Sequence, residues 1–238
     1  MRLFILNTMG IKLFLYQIIF SLSVVILFST CSVRECDSKG SLILDEIKEF
    51  NKDTSKFEKD IPFKDSGVID QIYIGTKKMQ ERLGMEKIDS SYDNFQIRIT
   101  NEFIKSGGLQ VLSIRLRDSE WTATYHTYKG NQNDTSYANV KRDSMELFPK
   151  WGWCQFLNAL ISQNILKLPT MEKVSIVKNI LVADGGICFF EIASRNKYRF
   201  YYYYEPDLLS IIDTKSTEGN NVIEIFKIIK DNFNFADK

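Results

Sequence analysis

The feature that most limits the fold is a change of period at Phe95. From there apolar residues recur at every second position: Phe95, Ile97 and Ile99 alternate with Gln96, Arg98 and Thr100. Successive side chains on an extended chain point to opposite faces, so this is the pattern of a half-buried strand. A helix cannot sort those residues onto one side. After the break at "SGG", "QVLSIRLR" repeats the pattern, with Leu112, Ile114 and Leu116 against Val111, Ser113 and Arg115. Three residues later "WTATYHTY" sets Trp121, Ala123 and Tyr125 against Thr122, Thr124, His126 and Tyr128. So short a gap between two alternating runs predicts an antiparallel hairpin. "GICFFEIA" and "YRFYYYYE", flanking "SRNK", predict a second one, and a further strand is expected over 137–147.

Between these blocks the spacing turns helical. Ile69, Ile72, Thr76, Met79 and Leu83 make one stripe over 65–84, with Asp65 or Ser66 to cap it and Gly84 to stop it. "WGWCQFLNALISQNI" puts Trp153, Leu157, Leu160 or Ile161, and Ile165 on one side, ending near Pro169. Trp151 and Trp153 are expected to start that helix against the sheet; an exposed one would mark a contact site. Val222, Ile225, Phe226, Ile229 and Phe233 stripe a closing helix, and a short helix fits 42–50, followed by an exposed loop over 51–60. Helices and hairpins in this order do not make regular β–α alternation. The expected class is α+β: an antiparallel sheet of about five to seven strands, covered mainly on one face by helices.

Residues 1–30 are different in kind. They hold Arg2 and Lys12, no acid, and an apolar run from Leu13 to Phe28. A run of about sixteen lies between a signal core and a spanning helix, so length alone leaves both open. Cys31 tips the balance. Leu27, Phe28, Ser29, Thr30 and Cys31 resemble a bacterial lipoprotein cleavage site, which implies a diacylglyceryl thioether on Cys31 and an acylated new N-terminus. "MGIK" at Met9 offers a second start for the same signal. The expected organisation is a signal peptide over 1–30, a lipidated cysteine and tether over 31–41, and a single α+β domain over 42–238. A membrane is then a partner through the lipid, and the expected location is the envelope, with the outer membrane favoured.

Cleavage removes two of the 31 basic residues and none of the 30 acidic ones, leaving one net negative charge. That gives no electrostatic case for nucleic acid. The single histidine excludes any site built on two, such as an HExxH zinc site, and neither a phosphate-binding loop nor a dinucleotide glycine motif is present. No cofactor or metal is expected. Asp184 in "ADGG" reads as a turn residue. Cys154 and Cys188 lie in core segments, where an oxidising envelope would let them pair and where two separate buried thiols are the alternative.

The strand "YRFYYYYEP" carries the candidate binding residues. Tyr198, Phe200, Tyr202 and Tyr204 share one face; Arg199, Tyr201, Tyr203 and Glu205 share the other. One face must pack on the core. Two readings of the other, with Arg199, Tyr201 and Tyr203, are open: a central strand packed on both sides with tyrosine hydroxyls at the rim, or a face that offers wide amphipathic contact to a protein or small ligand. His126, on the mixed face of its strand, is the remaining candidate.

"WGWCQFLNAL", the "LP" at 168–169, "DGG" at 184–186, "YRFYYYYEP" and the closing helix together resemble uncharacterised predicted lipoproteins of the Bacteroidota type. The resemblance implies an envelope location and adds no site. The leading expectation is a lipid-anchored, non-enzymatic binding domain. An envelope hydrolase using His126 or a carboxylate such as Glu191, and an immunity-type inhibitor of a secreted toxin, are the alternatives.

Overall fold

Asp118 and Ser119 both take positive φ, 50° and 65°. Two such residues in succession twist the chain the way a pair of strands twists, so Arg117 meets Glu120 across a two-residue turn. A second hairpin closes through Ser194, whose backbone N–H donates to Lys197 O at 2.8 Å while its hydroxyl oxygen accepts from Lys197 N at 3.1 Å. These two turns seed a seven-stranded sheet. The structure is a computed structural model that describes residues 42–52, 57–61, 70–90, 95–103, 108–129, 140–171, 186–204 and 217–233. Residues 1–41, which hold the expected signal, Cys31 and the tether, lie outside them, as do Asp184 and Glu205.

In chain order the described elements are α1 (Leu42–Phe50), β1 (Glu58–Asp60), α2 (Asp70–Arg82), β2 (Phe95–Phe103), β3 (Gly108–Arg117), β4 (Glu120–Lys129), β5 (Lys141–Leu147), α3 (Trp153–Ser162), β6 (Ile187–Ala193), β7 (Lys197–Tyr204) and α4 (Thr217–Asn232). The sheet order is β1-β7-β6-β2-β3-β4-β5. Every pairing is antiparallel except β1 with β7. The fold is therefore mixed α/β on one mostly antiparallel sheet. β2 pairs with both β3 and β6, so it welds the two hairpin blocks into one surface. Among the described residues, no helix is long and apolar enough to cross a membrane.

The front face of the sheet carries the larger cluster. Phe95, Ile97 and Ile99 join Leu112, Ile114, Trp121, Phe190 and Ile192, and α1, α3 and α4 supply Ile43, Phe156, Leu160, Val222 and Ile229. An edge-to-face chain from Phe50 to Phe95 to Trp121, then a stack on Trp153, ties α1 and α3 to the start of the sheet. The back face carries α2. Tyr73 packs with Tyr198, Phe200 and Tyr202, while Met79 packs with Leu109, Val111 and Tyr128. Gly84 stops α2 at φ 64°, and Met85 N–H returns to Gln80 O at 2.9 Å. The chain then folds back beneath the helix as a strap, with Ile88 fully buried.

The segment 51–60, expected as exposed loop, contributes β1. Its three residues have no apolar period; their pairing with Lys197, Tyr198 and Arg199 holds them in line.

Candidate functional site

Arg199, Tyr201 and Tyr203 project to the front face of β7, where the segment following α3 covers them. Tyr201 donates from its hydroxyl to Ile165 O at 2.5 Å, and Tyr203 to Pro169 O. Arg199 donates to Leu166 O at 2.8 Å and Leu168 O at 2.7 Å, and its Nε pairs with Asp60 at 3.3 Å. Both tyrosine rings are buried, with Phe190 stacked 4.8 Å from Tyr201. The reading of these residues as an exposed binding face is thus corrected, and the other reading, a buried central strand, is the one the burial bears out. These residues clamp carbonyls of the irregular segment 165–169 that follows α3, and a tyrosine or arginine suits that work because its body packs while its tip bonds. Burial raises the Tyr201 phenol well above its ordinary pKa, with Tyr203 adding to the shift. Periodicity allowed one exposed face, but β7 lies between β1 and β6 with helix-borne residues packed on both sides.

His126 stands on the back face of β4, opposite Val111 on β3 and Ser144 on β5. Its ring lies 3.4 Å from Arg142 Nη2 and 6.3 Å from the Tyr128 ring. Partial burial, then the charges of Arg142, Arg115 and Arg98, lower its pKa to about 4, so it is neutral at ordinary pH. Glu191 stands on β6, with β2 and β3 between, roughly 14 Å away at the spacing of neighbouring strands. The two candidates for hydrolytic chemistry are not brought together.

Glu191 gathers four side-chain partners. It is fully buried beneath α2. Lys77 Nζ lies 2.5 Å from Oε1, Tyr198 donates to Oε1 at 2.8 Å, Gln80 Nε2 donates to Oε2, and Arg98 Nη1 lies 3.4 Å from Oε2. Arg98 is directly opposite Glu191 across the β2–β6 pairing, and Lys77 and Gln80 are one turn apart on α2. Burial alone would push this carboxyl up; Lys77, Arg98 and the hydrogen bonds from Lys77 and Tyr198 outweigh it and hold it below the usual range. A charge enclosed in this way fixes how α2 seats on the sheet. The sequence reading named Glu191 but missed Lys77, Gln80 and Arg98, which look like ordinary solvated residues until α2 crosses the strands.

Cys154 and Cys188 are thiols, not halves of one bridge. Cys188 is buried and its Sγ–H donates to Tyr203 O at 3.5 Å. Among the described residues no group of three or more His, Cys, Asp or Glu side chains could hold a metal ion.

The two tryptophans at the start of α3 separate. Trp153 is buried, whereas Trp151 is 40% exposed, and a few positions earlier in the chain Phe148 is 73% and Met145 47% exposed. The backbone here is pinned: Lys150 N–H donates to Asn232 O at 3.2 Å, Trp151 N–H to Asn232 Oδ1 at 3.1 Å, and Gly152 N–H to Pro149 O at 3.0 Å. Asn232 itself is buried and donates to Ile228 O at 2.9 Å. The turn therefore presents two aromatic rings outward on a fixed frame, with Lys150 exposed between them.

Comparison with known proteins adds no relative: no family model, no curated protein and no solved structure matches the chain.

Proposed function

We propose that the chain is a lipid-tethered cell-envelope domain that acts by binding, moored at Cys31 and seated on the membrane by the turn 148–151. The anchor follows from the apolar run and the cleavage-site pattern at Cys31. The single observation that carries the seat is the grouping of Met145, Phe148 and Trp151, three of the five large apolar side chains exposed among the described residues, within seven positions. Scattered exposed apolar residues need no explanation, but a rigid group of them marks a contact surface. Aromatic rings beside a lysine suit the headgroup region, where an amphipathic ring has one end dry and one end wet. The chain from Cys31 to Leu42 reaches at most ~38 Å, so the tether keeps the domain within about its own diameter of the bilayer. At 73% and 40% exposure the two rings offer roughly 250 Å² of side-chain surface, or up to roughly 6 kcal/mol if fully covered.

The test uses the lipidated full-length protein in phosphatidylethanolamine–phosphatidylcholine vesicles carrying brominated acyl chains. The three tryptophans are Trp121, Trp151 and Trp153, and the first and last are buried. Quenching of about a third of the emission, lost on Trp151→Phe, is expected. Emission indifferent to bromine would reject the seat.

A further inference from the structure

Beneath α2 the back face holds polar groups that its ion pairs do not consume. Gln96, Arg98 and Thr100 follow one another at two-residue spacing on β2, and all three are at least 99% buried. Arg98 spends Nη1 on Glu191 and Nη2 on Glu86 O at 2.8 Å; Arg115 spends Nη2 on Glu86 Oε2 at 2.9 Å. Arg98 Nε, Arg115 Nε, Thr100 Oγ1 and both polar atoms of Gln96 are buried and find no partner among the described residues. Each such group carries its full desolvation cost unless something bonds it.

The register gathers them. Arg115 is directly opposite Gln96. Arg98 and Thr100 follow along the same face at ~6.8 Å steps. The set is rich in donors: two guanidinium N–H groups and the Gln96 amide, with the Thr100 hydroxyl able to act either way. It also has an excess of positive charge. Lys59, Lys77, Arg98 and Arg115 face the three carboxylates of Asp89, Glu191 and Glu86. His126, on the same face, registers that field through Arg142, Arg115 and Arg98.

We propose that Gln96, Arg98, Thr100 and Arg115 form the floor of a binding site for a small carboxylate anion, roofed by α2 and the strap at 84–88. A carboxylate offers acceptor oxygens in one plane, the geometry that guanidinium N–H groups meet best, and its charge offsets the excess cation. The enclosure sets the size. Glu86 in the strap accepts from both Arg98 and Arg115, and Met85 N–H is held by Gln80 O, so the strap is tied down over the arginines and the ligand proposed is a compact anion. This proposal rests on the reading of the chain as a binding domain and is independent of the membrane seat.

The test titrates full-length protein in detergent micelles with sodium formate, acetate and propionate, by calorimetry and by thermal unfolding, against sodium chloride at matched ionic strength. At least one carboxylate is expected to bind saturably at a single site and to raise the midpoint by several degrees at a hundredfold excess over Kd. Chloride should raise it by less than a degree. The near-isosteric pair Gln96→Met and Thr100→Val should keep the native circular dichroism and weaken binding at least tenfold. No saturable binding by any of the three, an equal response to chloride, or unchanged affinity in the double variant would each overturn the site. Tryptophan quenching in brominated vesicles should be the same in wild type and double variant. Carboxylate binding without quenching would sink the membrane seat and leave this site standing. Failure of both would sink the binding-domain reading.

Discussion

Replacing Glu191 by alanine should be among the most damaging single changes in the sheet. The carboxylate is fully buried and sits against Arg98, also buried, and Lys77, mostly so. Its removal leaves a buried guanidinium without its counter-charge and takes away the acceptor for Tyr198 and Gln80. Breaking a buried pair from one side costs about 3–5 kcal/mol. A domain of this size loses roughly 2–4 °C of melting midpoint per kcal/mol, so Glu191→Ala should melt roughly 6–20 °C below wild type. Converting the whole cluster to apolar residues, Lys77→Met with Arg98→Met and Glu191→Leu, should recover most of that, because the desolvation cost disappears along with the attraction. The pH dependence carries a sign. The Glu191 carboxyl is held below its unfolded value of 4.5, so its stabilisation is complete above that pH and is lost as pH falls through the folded value. Glu191→Gln should therefore lack that part of the acid-side loss. Chemical denaturation at a series of pH values measures both effects. If Glu191→Ala lies within about 1 kcal/mol of wild type, or Glu191→Gln keeps the full acid slope, the reasoning about this cluster is wrong.

Tyr201→Phe should cost about 1–2 kcal/mol in denaturant unfolding, because Ile165 O loses its buried donor, and Tyr201→Ala about 3–5 kcal/mol, because the ring that stacks on Phe190 goes too. The His126 ring should titrate near pH 4 by NMR, below its ordinary 6.5, and move upward in Arg142→Ala. Since the folded state disfavours the charged ring, this residue should subtract stability as pH falls from 6.5 toward 4. Asn232→Ala should free the amide of Trp151, whose acceptor is the side-chain Oδ1, cost about 1–2 kcal/mol, and speed hydrogen exchange at Trp151 more than at Lys150, whose acceptor is the backbone O that alanine keeps.

The strand faces were legible because Phe95, Ile97 and Ile99 are purely apolar on one side and bury together, so a one-residue slip would expose all three. The tight turn at Asp118–Ser119 was legible from the short gap alone. The stop of α2 was legible because Gly84 tolerates positive φ. β1 was not, since Glu58–Asp60 owes its extended form to β7, which lies far along the chain. The polar cluster was hidden for a similar reason. Arg98 and Glu191 alternate with apolar neighbours and look solvated; only the β2–β6 register sets them opposite each other, and only α2 buries them. Tyr201 and Tyr203 left two readings open, a buried central strand and an exposed binding face. Aromatic alternation on β7 shows that two faces exist, and cannot show that a segment some 35 residues earlier offers carbonyls to both hydroxyls. The exposed Trp151 was foreseeable as one of two possibilities at the head of α3, and the deciding factor was Asn232, more than 80 residues away in sequence.

The tether is the claim on which location and membrane seat both depend, and the mass of the mature chain tests it most directly. Protein taken from the membrane fraction of expressing cells should begin at Cys31 and carry a diacylglyceryl group on that sulfur with an acyl chain on the new amino terminus. Fractionation should move it to the soluble phase when Cys31→Ala blocks the modification and the signal is still removed. A chain that begins at Met1 or Met9, with Cys31 unmodified and the protein recovered from the cytosol, would contradict the account.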